Sequence, residues 1–220
     1  MVDFQSYNKS FINGEWVKGG ASKRTYQNIN PYDQTILQEI SIATADQLAE
    51  SFRIAKESQK QWAMSTADER KEVLRKVSGF LKDHREEIIE IIIRETGGSY
   101  IKANVEIDLT VDLVEEAVHM ADQLGESKEV DALIEGKRNK VFRLPLGVIT
   151  SISPFNFPMN LSMRTIAPAI ALGNSVVHKP DIQTAMTGGV IIAKAFEDAG
   201  LPKGIFNCIL TDLEEIGMIC

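Results

Sequence analysis

The chain has 220 residues, of which 44% are hydrophobic and 25% charged, the composition of a globular protein with room for one large domain. Its formal net charge of −7 argues against nucleic acid as a partner, because phosphate binding selects for a basic surface. We also expect no membrane partner, since no apolar run approaches the roughly 20 residues of a membrane helix. The opening residues lack the pattern of a secretory signal. Two cysteines, Cys208 and Cys220, are too few for a disulfide framework and favour a cytoplasmic setting.

The first part of the chain is predicted to form short strands and then long helices. Asn13-Gly14 between apolar residues is a strong signal for a β-hairpin, and extended structure resumes near residue 35, after a turn at Asn30-Pro31. From Asp46 onward the apolar residues recur at helical spacing. This pattern predicts a helix through Trp62, a second over Asp68–Glu95 that stops at Gly97-Gly98, and a third over about Tyr100–Leu124.

From Gly147 onward short β-branched runs alternate with helical patterns. The predicted strands are 148–152, which looks buried on both faces, 175–178 and 205–210; helices follow from Pro158, Thr184 and Asp212. Strands and helices that alternate with short links predict a parallel, right-handed sheet. The fold class is therefore α/β, with a parallel Rossmann-like sheet preceded by long helices. We expect the third strand to leave an edge with unpaired backbone groups.

Ligands of open parallel sheets bind beyond the carboxyl ends of the strands, which here are the loops 153–158, 179–183 and 211–217. The first loop carries the amide of Asn156, and the second carries Lys179, whose conformation is restricted by the following proline. The third leads into a helix amino terminus. Together these groups suit an anionic, phosphate-bearing cofactor. From the pattern alone, a turn merely shaped by the prolines and Asn156 is equally compatible.

Residues 147–184, GVITSISPFNFPMNLSMRTIAPAIALGNSVVHKPDIQT, resemble the first strand–helix–strand unit of the aldehyde dehydrogenase superfamily. The resemblance extends over nearly the whole chain. It includes Asn13-Gly14-Glu15-Trp16, Asn30-Pro31, Trp62, Arg70, Glu95-Thr96-Gly97, the Arg143–Gly147 segment and Leu201-Pro202-Lys203-Gly204. Ser162-Met163-Arg164, together with Lys-Pro-Asp-x-Gln-Thr, is most similar to the benzaldehyde and vanillin dehydrogenase branch.

The resemblance implies oxidation of a small-molecule aldehyde, in this branch an aromatic one, to the carboxylic acid with NAD or NADP. In that mechanism a cysteine thiolate attacks the aldehyde and a thiohemiacetal forms. Hydride passes to the nicotinamide, and a water activated by a glutamate releases the acid. Asn156 matches the asparagine whose amide stabilises the oxyanion, a contribution worth roughly 3 to 4 kcal/mol for comparable donors. The full-length form is expected to be a homo-oligomer, either a dimer or a tetramer.

The cofactor contacts implied by the resemblance lie on the same three loops. Lys179 matches the residue that hydrogen-bonds the adenosine ribose, and Gly217 matches a glycine near the pyrophosphate. The turn that contacts the cofactor matches Ile152, Ser153 and Phe155. Ile182 stands where a glutamate usually binds the ribose. Other departures are Thr211 and Leu213 in place of glycines, and Thr165 in place of a lysine.

The resemblance also implies a division of the chain. Residues 1–125 are expected to form the hairpin and helical part of the coenzyme-binding domain, residues 126–146 oligomerisation strands, and residues 147–220 the first three strands of the parallel sheet. We expect the catalytic domain, with its cysteine and its general-base glutamate, to be missing. The alternative is a catalytically inactive, truncated remnant that binds cofactor weakly or only associates with other subunits.

The remaining titratable residues give weaker signals. Cys208, in a strand, and Cys220, at the end, are poor candidates for the nucleophile. The three histidines, at positions 84, 119 and 178, have no metal-ligand spacing, so no metal site is predicted. For Glu95 and Glu106, on the long helices, a surface or helix-contact role is favoured over catalysis.

Overall fold

The fold was obtained as a computed structural model, which describes residues 6–20, 24–125 and 127–216. Four short strands near the amino terminus form two antiparallel hairpins: β1 (Ser10–Ile12), β2 (Glu15–Val17), β3 (Thr25–Ile29) and β4 (Ile36–Ser41). Asn13 and Gly14 connect the first pair with positive φ angles of 53° and 73°. These are the angles of a type I′ turn, so the predicted hairpin is confirmed.

Four long helices follow: α1 (Ala45–Trp62), α2 (Ala67–Asp83), α3 (Arg85–Thr96) and α4 (Tyr100–Met120). Thr44 and Thr66 begin α1 and α2 with complete capping boxes, and Gly97 ends α3 in the left-handed conformation. The single helix predicted over Asp68–Glu95 is wrong, because His84 leaves helical geometry and separates α2 from α3. The apolar spacing continues in phase across this break, so periodicity could not reveal it. Within the described ranges no helix has the length and hydropathy needed to cross a bilayer.

The predicted parallel unit is present. It consists of β7 (Val148–Ile152), α5 (Pro158–Ala171), β8 (Ser175–Lys179), α6 (Ile191–Asp198), β9 (Phe206–Cys208) and the short α7 (Leu213–Ile216). β8 pairs in parallel with β7 on one side and with β9 on the other. A 3₁₀ turn at Ile182–Thr184 and a π-helical turn at Met186–Val190 precede α6.

Among the described residues the sheet has five strands in the order β2-β1-β9-β8-β7, and it is mixed rather than purely parallel. β1 runs antiparallel to β9, with Phe11 opposite Cys208. The expected unpaired edge at the third strand is therefore wrong, because the amino-terminal hairpin covers it. Among the described strands β7 is an edge instead, and Thr150 and Ile152 on it are exposed. The prediction that this strand is buried on both faces is also wrong, whereas β8 is buried along almost its whole length.

The segment between α4 and β7 forms a separate two-stranded sheet, β5 (Ser127–Val130) paired with β6 (Asn139–Phe142). All residues of both strands are exposed. Each of the two strands pairs its backbone with the other. Their exposed side chains include Val130, Val141 and Phe142.

One buried arginine ties the helical layer together. Arg70 on α2 is 2% exposed, and its guanidinium donates to the carbonyl oxygens of Ala171 (2.7 Å), Ala121 (3.2 Å) and Ser65. The Ala171 carbonyl ends α5, the Ala121 carbonyl directly follows α4, and Ser65 lies in the link between α1 and α2. Carbonyls at the carboxyl end of a helix have no partner within the helix. The arginine therefore ties the ends of α5 and α4 to the link between α1 and α2.

Candidate functional site

A groove of about 930 Å³ lies beyond the carboxyl ends of β7 and β8. Five of the residues predicted to contact a cofactor line it together: Ile152, Ser153, Phe155, Lys179 and Ile182. The lining also includes Arg24, Thr25 and Tyr26 at the start of β3, and Asp212 and Glu214 beyond β9. This is the position that open parallel sheets offer to ligands, and its volume is that of a small-molecule site.

Asn156 follows directly on the groove-lining turn and is exposed. Its side-chain amide makes no hydrogen bond to any part of the chain that the structure describes. The donor is therefore available to a ligand. Gly217, the remaining predicted contact, lies outside the described residues.

The start of the Asn156 turn is fixed by the sheet and by two buried hydroxyl groups. The backbone N–H of Ser153 donates to the carbonyl of Lys179 across β7 and β8 at 3.3 Å. The Ser162 hydroxyl oxygen lies 2.7 Å from that of Ser153 and 2.6 Å from the Pro158 carbonyl. Ser162 thus joins the residue before the turn to the first residue of α5.

The end of the same turn is fixed by α4. Glu106 is fully buried, and its Oε1 accepts the backbone N–H of Met159, in the first turn of α5, at 2.9 Å. Its other oxygen accepts from Lys102 Nζ at 2.5 Å, and that ammonium also lies 4.6 Å from the centre of the Phe157 ring. The helix-contact role weighed for Glu106 is thus confirmed, and the surface role is wrong.

Glu95 supports the second loop of the groove in the same way. It is 3% exposed at the end of α3, and it accepts the backbone N–H groups of Met186 (2.9 Å) and Thr187 (2.8 Å) just after the Lys179 loop. The side chains of Thr187 and Asn28 also donate to it. Burial raises the pKa of Glu95 to about 7, against the effect of these donors. A buried carboxylate of the helical layer therefore holds the first turn of α5, and a second one holds the π-helical turn that precedes α6.

These two glutamates could have been located in the sequence. Glu106 is in phase with Ala103, Thr110 and Val114, which form the buried stripe of α4. An acid on the apolar stripe of a helix is costly to bury unless it is hydrogen-bonded. Glu95 likewise continues the buried face of Ile88 and Ile92. A charged residue at a position where the helical period predicts a buried side chain therefore indicates a buried, hydrogen-bonded carboxylate. Our sequence interpretation did not use this signal.

Of the cationic side chains that line the groove in the described part of the chain, Lys179 is the one without an ion pair. Arg24 is surrounded by Asp212, Glu214 and Glu215, at 2.7, 2.8 and 3.3 Å. Within the described ranges no carboxylate lies within ion-pair distance of Lys179, whose ammonium contacts only the Pro180 carbonyl at 3.4 Å. Asp181 is held by its own loop, because its carboxylate caps the following turn by accepting the N–H of Gln183 at 2.9 Å.

His178, next to Lys179 on β8, is a packing residue. It is fully buried; its Nε2–H donates to the Gly188 carbonyl at 2.8 Å, and its Nδ1 accepts the Ser151 hydroxyl at 3.0 Å. Burial lowers its pKa to about 4. Cys208, on the neighbouring strand, is 1% exposed, and burial raises the pKa of its thiol. Among the described residues no group of three or more His, Cys, Asp or Glu is arranged to hold a metal ion.

A pH dependence follows from the burial of His178. The folded chain excludes the proton that the unfolded chain binds below pH 6.5, so the free energy of unfolding should fall as the pH drops from 6.5 to 4. The lowered pKa corresponds to about 3 kcal/mol over this range. Urea denaturation across these pH values should show that His178→Gln loses this part of the pH dependence. The exposed His119→Gln is the control, and an unchanged profile in the His178 variant would contradict the assignment.

Residues 16–219 match the model of the aldehyde dehydrogenase family. The chain is 59% identical over 216 residues to the AldY protein of Bacillus subtilis, covering 98% of this chain and 44% of that protein. It is 40% identical over 217 residues to the benzaldehyde dehydrogenase YfmT of the same organism, covering 99% of this chain and 44% of the relative.

The crystal structure of an NAD-dependent benzaldehyde dehydrogenase from Corynebacterium glutamicum superposes with a TM-score of 0.90 at 39% identity. The match covers 98% of this chain and 46% of that one. The chain thus spans less than half the length of each of these three relatives, and over that span the sequence resembles all three and the fold resembles that of the solved structure. The chain belongs to the aldehyde dehydrogenase family.

Proposed function

We propose that this chain is the coenzyme-binding part of an NAD(P)-dependent dehydrogenase that oxidises an aromatic aldehyde to its acid. The observation that carries this proposal is the groove, which is lined by Lys179 and by residues of the turn from Ile152 to Phe155, with the free amide of Asn156 on the residue that follows this turn. The similarity to two benzaldehyde dehydrogenases supports the substrate class.

The residues of the groove fit a coenzyme of this kind. Lys179 would bind the adenosine ribose, and its charge would attract the anionic pyrophosphate region. Ile152 and Phe155, 58% and 56% exposed, offer apolar surface to the coenzyme rings beside the Ser153 backbone. NAD or NADP would supply the hydride acceptor. Gly217 remains proposed as a further contact.

Asn156 would act on the aldehyde rather than on the coenzyme. Its amide N–H is free to donate to the carbonyl oxygen, which gains negative charge when a thiolate adds to the carbonyl carbon. Cys208 does not suit the role of nucleophile, because it is buried in β9 with a raised thiol pKa. We therefore propose that the nucleophile belongs to a part of the enzyme outside residues 6–216.

We also propose the division of the chain made from the sequence: residues 1–125 and 147–220 in the coenzyme-binding domain, and residues 126–146 as oligomerisation strands. The separate β5–β6 sheet with exposed Val130, Val141 and Phe142 supports an association surface in a homo-oligomer. A cytoplasmic location is proposed from the low cysteine content.

The function is tested in a chimera, in which this chain replaces the matching part of the Bacillus subtilis benzaldehyde dehydrogenase. We expect the chimera to reduce NAD with benzaldehyde, and the 220-residue chain alone to show no turnover. The unmodified relative is the positive control. Turnover by the chain alone that disappears on replacing Cys208 or Cys220 would contradict the proposal that the nucleophile lies in another part of the enzyme. A folded but inactive chimera would contradict the proposed function.

The preference between NAD and NADP tests the role of Ile182. A glutamate at this position would bind the ribose hydroxyls of NAD and repel the 2′-phosphate of NADP. Ile182 does neither, and Asp181 is held by the Gln183 backbone. We expect NADP and NAD to bind this chain with dissociation constants within about tenfold, a difference of roughly 1.4 kcal/mol. Ile182→Glu should weaken NADP at least about tenfold more than NAD, because like charges then meet.

The control for that comparison is Gln183→Glu, which adds the same charge one residue along the groove. Titration of each variant with both coenzymes gives the two ratios. An unmodified chain that rejects NADP by about a thousandfold would show that position 182 does not set the choice. An equal shift in both variants would also exclude a special role for position 182.

A further inference from the structure

Helix α5 begins without a cap from its own sequence. Phe157 occupies the cap position and makes no side-chain hydrogen bond to the helix, and Pro158 in the first helical position has no N–H. Met159 therefore carries the first backbone donor of the helix. A buried donor left unpaired costs roughly 1 to 3 kcal/mol, so this group needs a partner from elsewhere.

Glu106 supplies that partner from α4. Its carboxylate is fully buried, and Oε1 lies 2.9 Å from the Met159 nitrogen. A negative charge at this point is also favoured by the dipole of α5. The cost of burying the charge is offset by Lys102, one turn earlier on α4, whose ammonium lies 2.5 Å from Oε2.

Lys102 makes a second contact that Glu106 alone does not explain. Its ammonium lies 4.6 Å from the centre of the Phe157 ring, within the range of a cation–π interaction. The pair thus holds the residue directly after Asn156 by its ring and the residue three positions after it by its N–H. No described group holds the Asn156 side chain itself, so its position depends on the turn that carries it.

We propose that Lys102 and Glu106 act together as positioning residues, which orient the Asn156 amide by clamping the turn that carries it onto α4. The effect of this clamp on catalysis rests on the proposed function, whereas the contacts of Lys102 and Glu106 with the turn are independent of it. Loss of the clamp would leave α5 packed but would free the turn. Because the oxyanion donor acts only when aimed at the developing charge, a freed turn would lower activity without abolishing coenzyme binding.

The test uses the 220-residue chain itself and nuclear magnetic resonance. Two signals are followed: the exchange rate of the Met159 backbone amide and the position of the Asn156 side-chain NH₂ resonances. We expect Glu106→Ala to accelerate exchange at Met159 at least about tenfold and to change the chemical shifts of the Asn156 side-chain NH₂ group, because the backbone that carries it moves. Glu106→Gln should restore both signals in large part, because its amide oxygen still accepts the Met159 N–H.

Lys102→Met removes the contact with the Phe157 ring but keeps the Glu106 hydrogen bond to Met159. It also provides a second test if Glu106→Ala does not fold. It should shift the Asn156 resonances while Met159 stays protected. Glu115→Ala, on the same helix but paired with Lys82 at the surface, is the matched control and should change neither signal. Unchanged Asn156 resonances in folded Glu106→Ala, or in Lys102→Met, would overturn the proposal.

These outcomes are separate from those of the proposed function. If the Asn156 resonances respond as expected but Asn156→Ala leaves the chimera fully active, the clamp stands and the catalytic role of Asn156 fails. If Asn156→Ala inactivates the chimera but the resonances do not respond, the oxyanion role stands and the clamp fails.

Discussion

Replacing Asn156 with alanine is expected to lower the kcat of the chimera by roughly 100- to 1,000-fold, the effect of removing one amide donor from an oxyanion site. The amide is exposed and unpaired, so its loss breaks no hydrogen bond within the described chain. We therefore expect no change in the stability of the fold. Coenzyme affinity should stay within about twofold, since the donor interacts with the aldehyde oxygen in the transition state.

Two variants make this result interpretable. Asn139→Ala removes an exposed amide from β6, away from the groove, and should leave kcat unchanged. Asn156→Asp keeps the size of the side chain but places a negative charge near the oxyanion, so it should be at least as inactive as the alanine variant. Steady-state kinetics with benzaldehyde at saturating coenzyme gives kcat for each. A loss of less than about threefold in Asn156→Ala would remove Asn156 from the catalytic machinery.

Arg70→Met is expected to destabilise the chain by about 3 to 5 kcal/mol. Methionine fills much of the same volume but leaves the carbonyls of Ala171, Ala121 and Ser65 without their donor. Each buried carbonyl without a partner costs roughly 1 to 3 kcal/mol, and partial access of water to Ser65 lowers the sum. The free energy of unfolding of Arg70→Lys should lie between those of the unmodified chain and Arg70→Met. A single ammonium group cannot donate to all three carbonyls as the branched guanidinium does.

The matched control is Arg75→Met on the exposed side of the same helix, which should change stability by less than about 0.5 kcal/mol. Urea denaturation followed by far-ultraviolet circular dichroism gives the free energies of unfolding. Equal effects of the Arg70 and Arg75 variants would show that the Arg70 guanidinium does not join the ends of α5 and α4 to the link between α1 and α2.

The sequence predicted the local elements well where backbone chemistry decides them. Asn13-Gly14 determines a hairpin because both residues tolerate positive φ, and Gly97 ends α3 for the same reason. The parallel order of β7, β8 and β9 follows from their short helical connections. Five of the seven predicted site residues line one groove for that reason, because each lies at or near a strand end on the same edge.

The errors concern contacts between distant parts of the chain. That β1 pairs with β9 depends on Phe11 meeting Cys208 across nearly the whole sequence, and no local pattern encodes such a pairing. The break between α2 and α3 at His84 is a local feature, but the sequence did not predict it because the apolar residues keep the same helical period on both sides of the break. Glu95 and Glu106 were visible as acids in phase with buried faces, but what they contact depends on how α3 and α4 pack against the sheet unit.

Titration of this chain with NAD tests the central claim most directly, that the groove beyond β7 and β8 is a coenzyme site. Saturable binding is predicted, weakened at least about fivefold by Lys179→Met, which corresponds to roughly 1 kcal/mol. Lys203→Met is the control, because Lys203 is an exposed lysine paired with Glu15 and does not line the groove. If NAD does not bind, or binds equally well to Lys179→Met and to the unmodified chain, the assignment of the groove is wrong.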